Sequence, residues 1–419
     1  MTAMRILLLN DLHDPRIGSS VRLCYQLARQ FAAAGHVAEI VSTTEQAADS
    51  TPVEIEGVRV HRLHSAYNPR WRSWVSLDNP RVREPLARIY REFRPDIVHA
   101  HLIHTHLSYA ALTQARAAGA AVLFTAHDVM TFCHQKLTCF HGGPEQRGEL
   151  RDYRAYWQKC LPCQRLRWNP LRNRAIRRVL ERDVQRISAV SHELARALAE
   201  NRIRVDRVLH NALKPQARPV SAEAVERFRR ERGLEGMQLI AMGGRLHEQK
   251  GVFQLLEMLH RLAPRFPQLR LLVLGKRDVY EREFAQRARE LGVAERIVAT
   301  GWLEGEELQA ALEAVDVFVT PSICFDTFGM VNLEAMEHAK PVVATVFGGS
   351  PEVVEDGVSG LIRNPFDVEA FSRAIAELLS DPSRAREYGR AGQVRLHNRF
   401  RIERLAAECL EEYQRARGS

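Results

Sequence analysis

The chain has 419 residues, 45% of them apolar and 26% charged, with a formal net charge of +9. That length exceeds one ordinary core and predicts two domains of about 200 residues each. The composition is that of a globular protein, and the sequence has no uninterrupted apolar run of the ~20 residues that a membrane-spanning helix needs, which excludes disordered, fibrous and membrane-embedded classes. The opening MTAMRILLLN is too short for a signal peptide, and its apolar run stops at Asn10-Asp11. It reads as a buried first strand, and a cytoplasmic location is the expectation.

The positive excess is local: residues 147–186 hold twelve Arg/Lys against four Asp/Glu. Such a patch suits contact with an anionic membrane face or a phosphate-bearing acceptor; a solvated, Arg-rich helix face with no partner accounts for it as well. Nucleic acid is the weaker option, because Tyr153, Tyr156, Trp157 and Trp168 form no stacking motif.

In chain order, hydrophobic periodicity predicts a strand at 4–9, an amphipathic helix at 21–34 stopped by Gly35, and a strand at 37–43. A β-turn-β follows at Glu56-Gly57, then a strand at 97–101, a helix at about 106–118 and a strand at 121–127. Residues 128–168 break the rhythm with four cysteines and many arginines, and read as an insertion. Regular signals resume with an Arg-rich helix from about Pro170, a strand at 186–191, a helix at 192–200 and a strand at 207–211. Pro215, Pro219, Gly233 and Gly236 surround one charged helical run and mark the domain boundary. A second βα series follows, with strands at 238–243, 269–275, 296–301, 317–321 and 341–346, and the last fifty residues are helical. Alternation of this kind specifies parallel sheets wrapped by helices, which bind ligands at the carboxyl ends of their strands. The expected domains are residues 1–214, residues 215–385, and C-terminal helices at 386–419 that pack back toward the first domain.

Two segments carry the chemistry. In AMGGRLHEQKGV a strand ends at Gly243-Gly244, and Arg245 and Lys250 precede a helix. Glycines that admit close backbone approach, a helix N-terminus and two cations make an anion site, though the order is not that of a Walker loop. In PSICFDTFGMVNLEAMEHAKPVV, Asp326 and Glu334 stand eight residues apart on a loop-to-helix element.

These two blocks together, with the strand beginning Pro341-Val342-Val343, resemble glycosyltransferase family 4. DIVHAH, FTAHD, SAVSHEL and VLHNAL are similar to that family's first-domain landmarks, so the resemblance covers most of the chain. It implies the α/β GT-B fold, two Rossmann-like doubly wound domains facing across a cleft. It also implies a retaining glycosyltransferase that moves a sugar from a nucleoside-diphosphate sugar to a hydroxyl acceptor. By the resemblance, Arg245 and Lys250 bind the donor diphosphate with Gly244, and Glu334 takes the ribose hydroxyls. Asp326 and His127 border the donor sugar, the backbone of Phe328, Gly329, Met330 and Val331 holds sugar hydroxyls and phosphate, and Gly18 belongs to a loop near acceptor and phosphate. A simple N-cap by Ser19 or Ser20 accounts for the Gly18 segment equally well. No catalytic metal is implied, since fixed cations meet the charge of the leaving diphosphate. The family more often has Glu where Asp326 stands, one methylene longer. Lipid-linked, phosphorylated and polysaccharide acceptors are all compatible with the sequence. The other readings are a GT-B sugar-nucleotide epimerase and a non-catalytic adaptor on a transferase scaffold.

Cys133, Cys139, Cys160 and Cys163 include a Cys-x-x-Cys pair, the spacing of tetrahedral thiolate sites, and predict a structural Zn²⁺ pinning the insertion above the first-domain cleft. Plain reduced thiols, a redox pair or an iron–sulfur site are the alternatives. His99, His101, His104 and His106 invite a metal reading too, but His-x-His on such a strand is more often scaffold or cleft wall.

Overall fold

The computed structural model describes every residue except 1, 2, 13, 15–17, 136, 143–145, 216–218 and 419. The chain divides into two compact units. The first comprises Met1–Cys139, Tyr153–Lys214 and Ile402–Ser419, and the second Phe140–Asp152 and Pro215–Arg401. Among the described residues no helix is long and apolar enough to cross a membrane.

The first unit is built on eight strands: β1 Arg5–Leu9, β2 Val37–Thr44, β3 Val53–Ile55, β4 Val58–His64, β5 Ile97–Ala100, β6 Ala121–Ala126, β7 Arg186–Ala189 and β8 Arg207–Val208. Their order is β3-β4-β2-β1-β5-β6-β7-β8. Every pairing is parallel except β3 with β4. That exception is a tight hairpin in which Glu56 and Gly57 both adopt positive φ, 52° and 76°, the geometry that matches strand twist. At the centre, Ile6, Leu7, Leu8 and Leu9 are all fully buried. A parallel strand covered on both faces needs apolar residues at consecutive positions, and this is why β1 reads as a continuous run.

Periodicity predicts no element at residues 80–93, where the structure has a helix, Pro80–Phe93. Pro85 reads as a breaker. Burial outweighs it: Val82, Leu86, Ile89, Tyr90 and Phe93 all pack inward, and the Asn79 side chain caps the helix by accepting from Arg81 N–H.

The second unit has six parallel strands, β9 Gln238–Gly243, β10 Leu269–Leu274, β11 Ile297–Ala299, β12 Val317–Thr320, β13 Val342–Thr345 and β14 Gly360–Arg363, in the order β11-β10-β9-β12-β13-β14. The chain starts in the middle, runs to one edge, and returns to fill the other side. The order therefore reverses between β9 and β12, which opens a crevice beyond their carboxyl ends.

One segment departs from the expected division. The insertion reads in sequence as first-domain chain throughout, yet Phe140–Asp152 belongs to the second unit. Aromatic packing holds it there. The Phe140 ring lies 6.0 Å from Phe325 and 5.2 Å from Phe347, His141 lies 4.9 Å from Phe366, and the Arg151 guanidinium stands 4.8 Å over Phe347.

At the C-terminus, Pro382–Arg399 is a helix of the second unit, whereas Ile402–Arg417 is a helix of the first. The latter buries Ile402, Leu405, Ala406, Cys409, Tyr413 and Ala416 at helical spacing. Its Glu412 is fully buried and meets Arg186 at 2.7 Å, Arg207 at 3.2 Å and Arg415 at 2.8 Å. Burial opposes the charge of Glu412, but its bonds to Arg186 and Arg207 outweigh that, and its carboxyl sits below the ordinary value. A depressed folded pKa contributes stability that is full above the unfolded value of about 4.3 and lost as pH falls through the folded one. Glu412→Gln should therefore cost about 2 kcal/mol at neutral pH, after discounting the partly exposed arginines. In urea unfolding, the difference from wild type should shrink as the pH is lowered below about 4.

Candidate active site

Three loops interlock at the β9/β12 crevice. After β9, Gly244 adopts φ +104°, and a Cβ there would lie 3.7 Å from Val331. The main chain after β9 thus runs against the first turn of the helix Met330–Glu337. A short turn, Glu248–Lys250, follows, with the His247 ring accepting from Gln249 N–H at 3.2 Å. Gly251 ends it at φ +76°, where a Cβ would stand 1.9 Å from the Pro321 carbonyl oxygen, so only glycine fits. The Gln249 carbonyl in turn accepts from Ile323 and Cys324 at 3.0 and 3.2 Å, tying the loop after β9 to the loop after β12. A third loop closes on both: Gly349 N–H donates to the Asp326 carbonyl at 2.8 Å.

These contacts set one central ion pair, Lys250 Nζ to Asp326 Oδ2 at 2.7 Å. Ser322 Oγ stands 3.3 Å from the same oxygen, and Gly329 N–H donates to the carboxylate as well. Burial works against both charges, and in each the partner outweighs it: Asp326 lies below the ordinary carboxyl value and Lys250 above the ordinary amine value. The pair is therefore ionised across the whole neutral range.

Arg245 is exposed at the rim, and Glu334 is half-buried one turn into the Met330–Glu337 helix. Phe328 is buried, edge-on to Phe400 at 5.8 Å, which fixes the turn into Gly329. Gly329, at φ +80°, is the N-cap of that helix and offers no side-chain cap. As the first two residues of the helix, Met330 and Val331 have N–H groups with no intrahelical acceptor. Two polar side chains that the sequence reading did not single out flank this turn. A Cβ at Gly329 would lie 2.7 Å from Asn332 Nδ2 and 3.1 Å from Ser350 Oγ. Both atoms are buried without a hydrogen-bond partner, although Asn332 Oδ1 accepts from Thr320 at 2.9 Å. Buried orphan donors at a helix N-terminus suit an anionic or hydroxyl-bearing ligand. Sequence offered no periodic signal for either residue, because both depend on how the loops fold together.

In the first unit, His127 ends β6, buried, its Nε2 2.8 Å from His101 Nδ1. Burial holds His127 down to about 4 and His99 to about 3, so both rings are neutral at pH 7. His99 spends both nitrogens, on Tyr413 and on Thr125, each at 2.8 Å. His104 bonds Tyr109 at 2.9 Å and His106 bonds Ser65 at 2.9 Å. The histidine row is thus a hydrogen-bonded layer at the carboxyl ends of β5 and β6. Gly18 is extended, φ −171°, and stands at the N-cap of the helix Ser19–Ala33 with no side-chain cap. Gly18 supplies the first carbonyl of the helix, accepting from Arg22 N–H at 3.1 Å. Residues 15–17 of the same loop lie outside the described residues. Sequence reasoning also passed over Asp11, whose buried carboxylate accepts from the N–H groups of Thr105, His106 and Leu107 at 2.7, 3.0 and 2.7 Å. An acid directly after a first strand was the available signal.

Comparison with known proteins places this geometry. Residues 225–395 match the family model described as glycosyl transferases group 1, and residues 20–216 match the model for glycosyltransferase family 4. The chain belongs to glycosyltransferase family 4. It is 38% identical over 187 residues to alpha-maltose-1-phosphate synthase of Mycolicibacterium smegmatis, a match covering 42% of this chain and 48% of that protein. It is 36% identical over 177 residues to the GDP-mannose-dependent alpha-(1-6)-phosphatidylinositol monomannoside mannosyltransferase of the same organism, covering 41% and 46%. These matches span about half the length of each relative. In fold, the sucrose-phosphate synthase of Thermosynechococcus elongatus superposes with a TM-score of 0.76 at 22% identity, covering 98% of both chains. The Anabaena protein HepE, solved in complex with UDP and glucose, superposes at 0.73 and 19% identity, covering 98% and 99%. The fold is GT-B, two Rossmann-like α/β domains.

Lys250→Met should leave Asp326 buried without its counter-charge, lowering stability by about 2 kcal/mol. Asp326→Asn in the same chain should recover part of that loss, and a double-mutant cycle by urea unfolding checks the coupling.

Proposed function

We propose that the chain is a retaining glycosyltransferase that moves a sugar from a nucleoside-diphosphate donor to a hydroxyl acceptor. The observation that carries the reading is the convergence, at the strand-order reversal of the second unit, of Gly244, Lys250, Asp326 and the Gly329 helix terminus. A diphosphate seated there meets Arg245, Lys250 and free N–H groups. As the glycosidic bond breaks, negative charge grows on the leaving diphosphate, and fixed cations and dipoles stabilise it where it forms. These groups answer that charge without a divalent cation. Glu334 accepts from the ribose hydroxyls, and Asn332 and Ser350 add polar contacts beside the helix terminus.

Asp326 borders the reacting sugar but is engaged by Lys250 at 2.7 Å and held anionic. A carboxylate occupied this way, and shorter by a methylene than Glu, is a poor nucleophile. The reading is therefore a front-face displacement, in which the leaving phosphate accepts the acceptor's proton and the configuration is retained. The acceptor is assigned to the first unit, and the neutral imidazole of His127 is able to hydrogen-bond a hydroxyl of the donor sugar. Relatives named as sugar-phosphate synthases and as a phosphatidylinositol-mannoside transferase support a phosphorylated or lipid-linked acceptor, consistent with the basic stretch at 147–186.

Thermal-shift titration with UDP, GDP and ADP and their sugars should raise the Tm with one base. Arg245→Ala or Lys250→Ala should weaken transfer about ten- to hundredfold, as for a lost charge-assisted contact. Absence of any shift, or unchanged turnover in both variants, would contradict the phosphate assignment. NMR of the product should show the donor's anomeric configuration, and a trapped glycosyl–Asp326 adduct would overturn the front-face route. An epimerase would give no glycosylated product in the same assay.

A further inference from the structure

Among the described residues of the first unit, the most exposed large apolar side chains are Leu171, Trp71, Trp157 and Trp74, at 62%, 61%, 60% and 52%. Scattered singly, such residues need no explanation; brought together, they mark a contact surface.

Hydrogen bonds bring them together across the chain. Ser73, between Trp71 and Trp74, donates from Oγ to the Arg167 carbonyl at 3.0 Å, and its own carbonyl accepts from Asn169 Nδ2 at 3.3 Å. Arg172 Nε donates to Ser76 Oγ at 3.1 Å. Residues 71–76 are thus laced to residues 167–172, which sets both tryptophans in the surface region of Leu171. From there the helix Arg172–Asp183 buries Ile176 and Leu180 and turns Arg174 and Arg178 outward, on the same stripe as Leu171.

On the other side, residues 165–167 continue the helix Trp157–Gln164. That helix buries none of its side chains, and Trp157 and Leu161, one turn apart, both face solvent. The zinc site expected to pin this segment is not assembled: among the described residues no three of the sulfurs of Cys133, Cys139, Cys160 and Cys163 lie within 4.8 Å of one another. The helix is neither seated in a core nor gathered by thiols.

The charge around this face is of one sign. Residues 154–180 hold eight Arg or Lys and no Asp or Glu. Arg165, Arg167, Arg174 and Arg178 are exposed, and among the described residues none of the four pairs with a carboxylate. Elsewhere on the same unit exposed arginines do find acids: Arg83 meets Asp78, Arg91 meets Glu84, and Arg196 meets Glu193 and Glu200.

We propose that this face docks on a bilayer containing anionic lipids, with Trp71, Trp74, Leu171, Trp157 and Leu161 entering the interface and Arg165, Arg167, Arg174 and Arg178 on the lipid phosphates. Indole rings settle at the headgroup level, and guanidinium groups bond phosphate oxygens with charge assistance. Apolar side chains that protrude need a matching pocket on a folded partner, whereas fluid lipid accommodates them without one. Docking of this kind needs no nucleotide, so its failure and that of the transferase reading are told apart.

The full-length protein should co-sediment with phosphatidylcholine vesicles that contain phosphatidylglycerol, and not with pure phosphatidylcholine. Raising the ionic strength from about 0.1 M to about 1 M should release most of it, since the screening length falls to about 3 Å. Tryptophan emission should shift to the blue on binding, and brominated acyl chains should quench it. Replacing both tryptophans, Trp71→Ala with Trp74→Ala, should lower the partition coefficient about tenfold or more. Arg174→Gln and Arg178→Gln should each lower it about fivefold. Trp302→Ala, at an exposed site of the second unit, should bind as wild type does. Quenching of the wild type reads insertion even where a variant misfolds. No binding, equal binding to both vesicle types, or binding without blue shift or quenching would overturn the proposal. Tighter binding to a single-stranded oligonucleotide than to the anionic vesicles would overturn it as well.

Discussion

A lysine and an aspartate 2.7 Å apart at the strand-order reversal organise the second unit. Neither charge is tolerable alone at that depth, since burial opposes both, and each keeps the other ionised. Three loops must then hold a common geometry, and glycines permit it. Gly251 and Gly348 each pass where a Cβ would come within 1.9 Å of a backbone oxygen, one on the Pro321 carbonyl and the other on Asp326 itself. Shortening the acid from Glu to Asp fits this arrangement, because the carboxylate is bonded within its own loop cluster to Lys250, Ser322 and Gly329.

The first unit solves a different problem, the burial of many polar groups at strand ends. Asp11 gathers three successive N–H groups after β5, and the histidines share their nitrogens with Tyr, Thr, Ser and one another. Each of these rings is bonded through at least one nitrogen, which fixes its orientation at the carboxyl edge of the sheet. Burial also keeps the imidazoles neutral, which makes them hydrogen-bonding groups rather than charges at neutral pH.

Much of this was legible in the chain. The apolar runs of β1, β9 and β12 mark strands because parallel strands covered on both faces need consecutive apolar residues. The helix His192–Glu200 was legible at its observed bounds, and in the structure Ser191 caps it by accepting from Leu194 N–H. Arg245, Lys250, Asp326 and Glu334 stood out because charged residues beside glycine turns at strand ends have few structural uses. The helix Pro80–Phe93 was not legible, since Pro85 masks a periodicity that only packing justifies. Asn332 and Ser350 were equally silent, because a buried amide or hydroxyl acquires meaning from the atoms around it.

The sequence by itself determined the alternation of strands and helices and the placing of glycines and charges at strand ends, because periodicity, glycine placement and charge are local properties of the chain. Tertiary structure alone decided that Lys250 engages Asp326, that Phe140–Asp152 joins the second unit, and that the last helix completes the core of the first. Those outcomes depend on contacts between residues far apart in the chain. Burial and Coulomb energy are set by three-dimensional neighbours, and no local pattern encodes them.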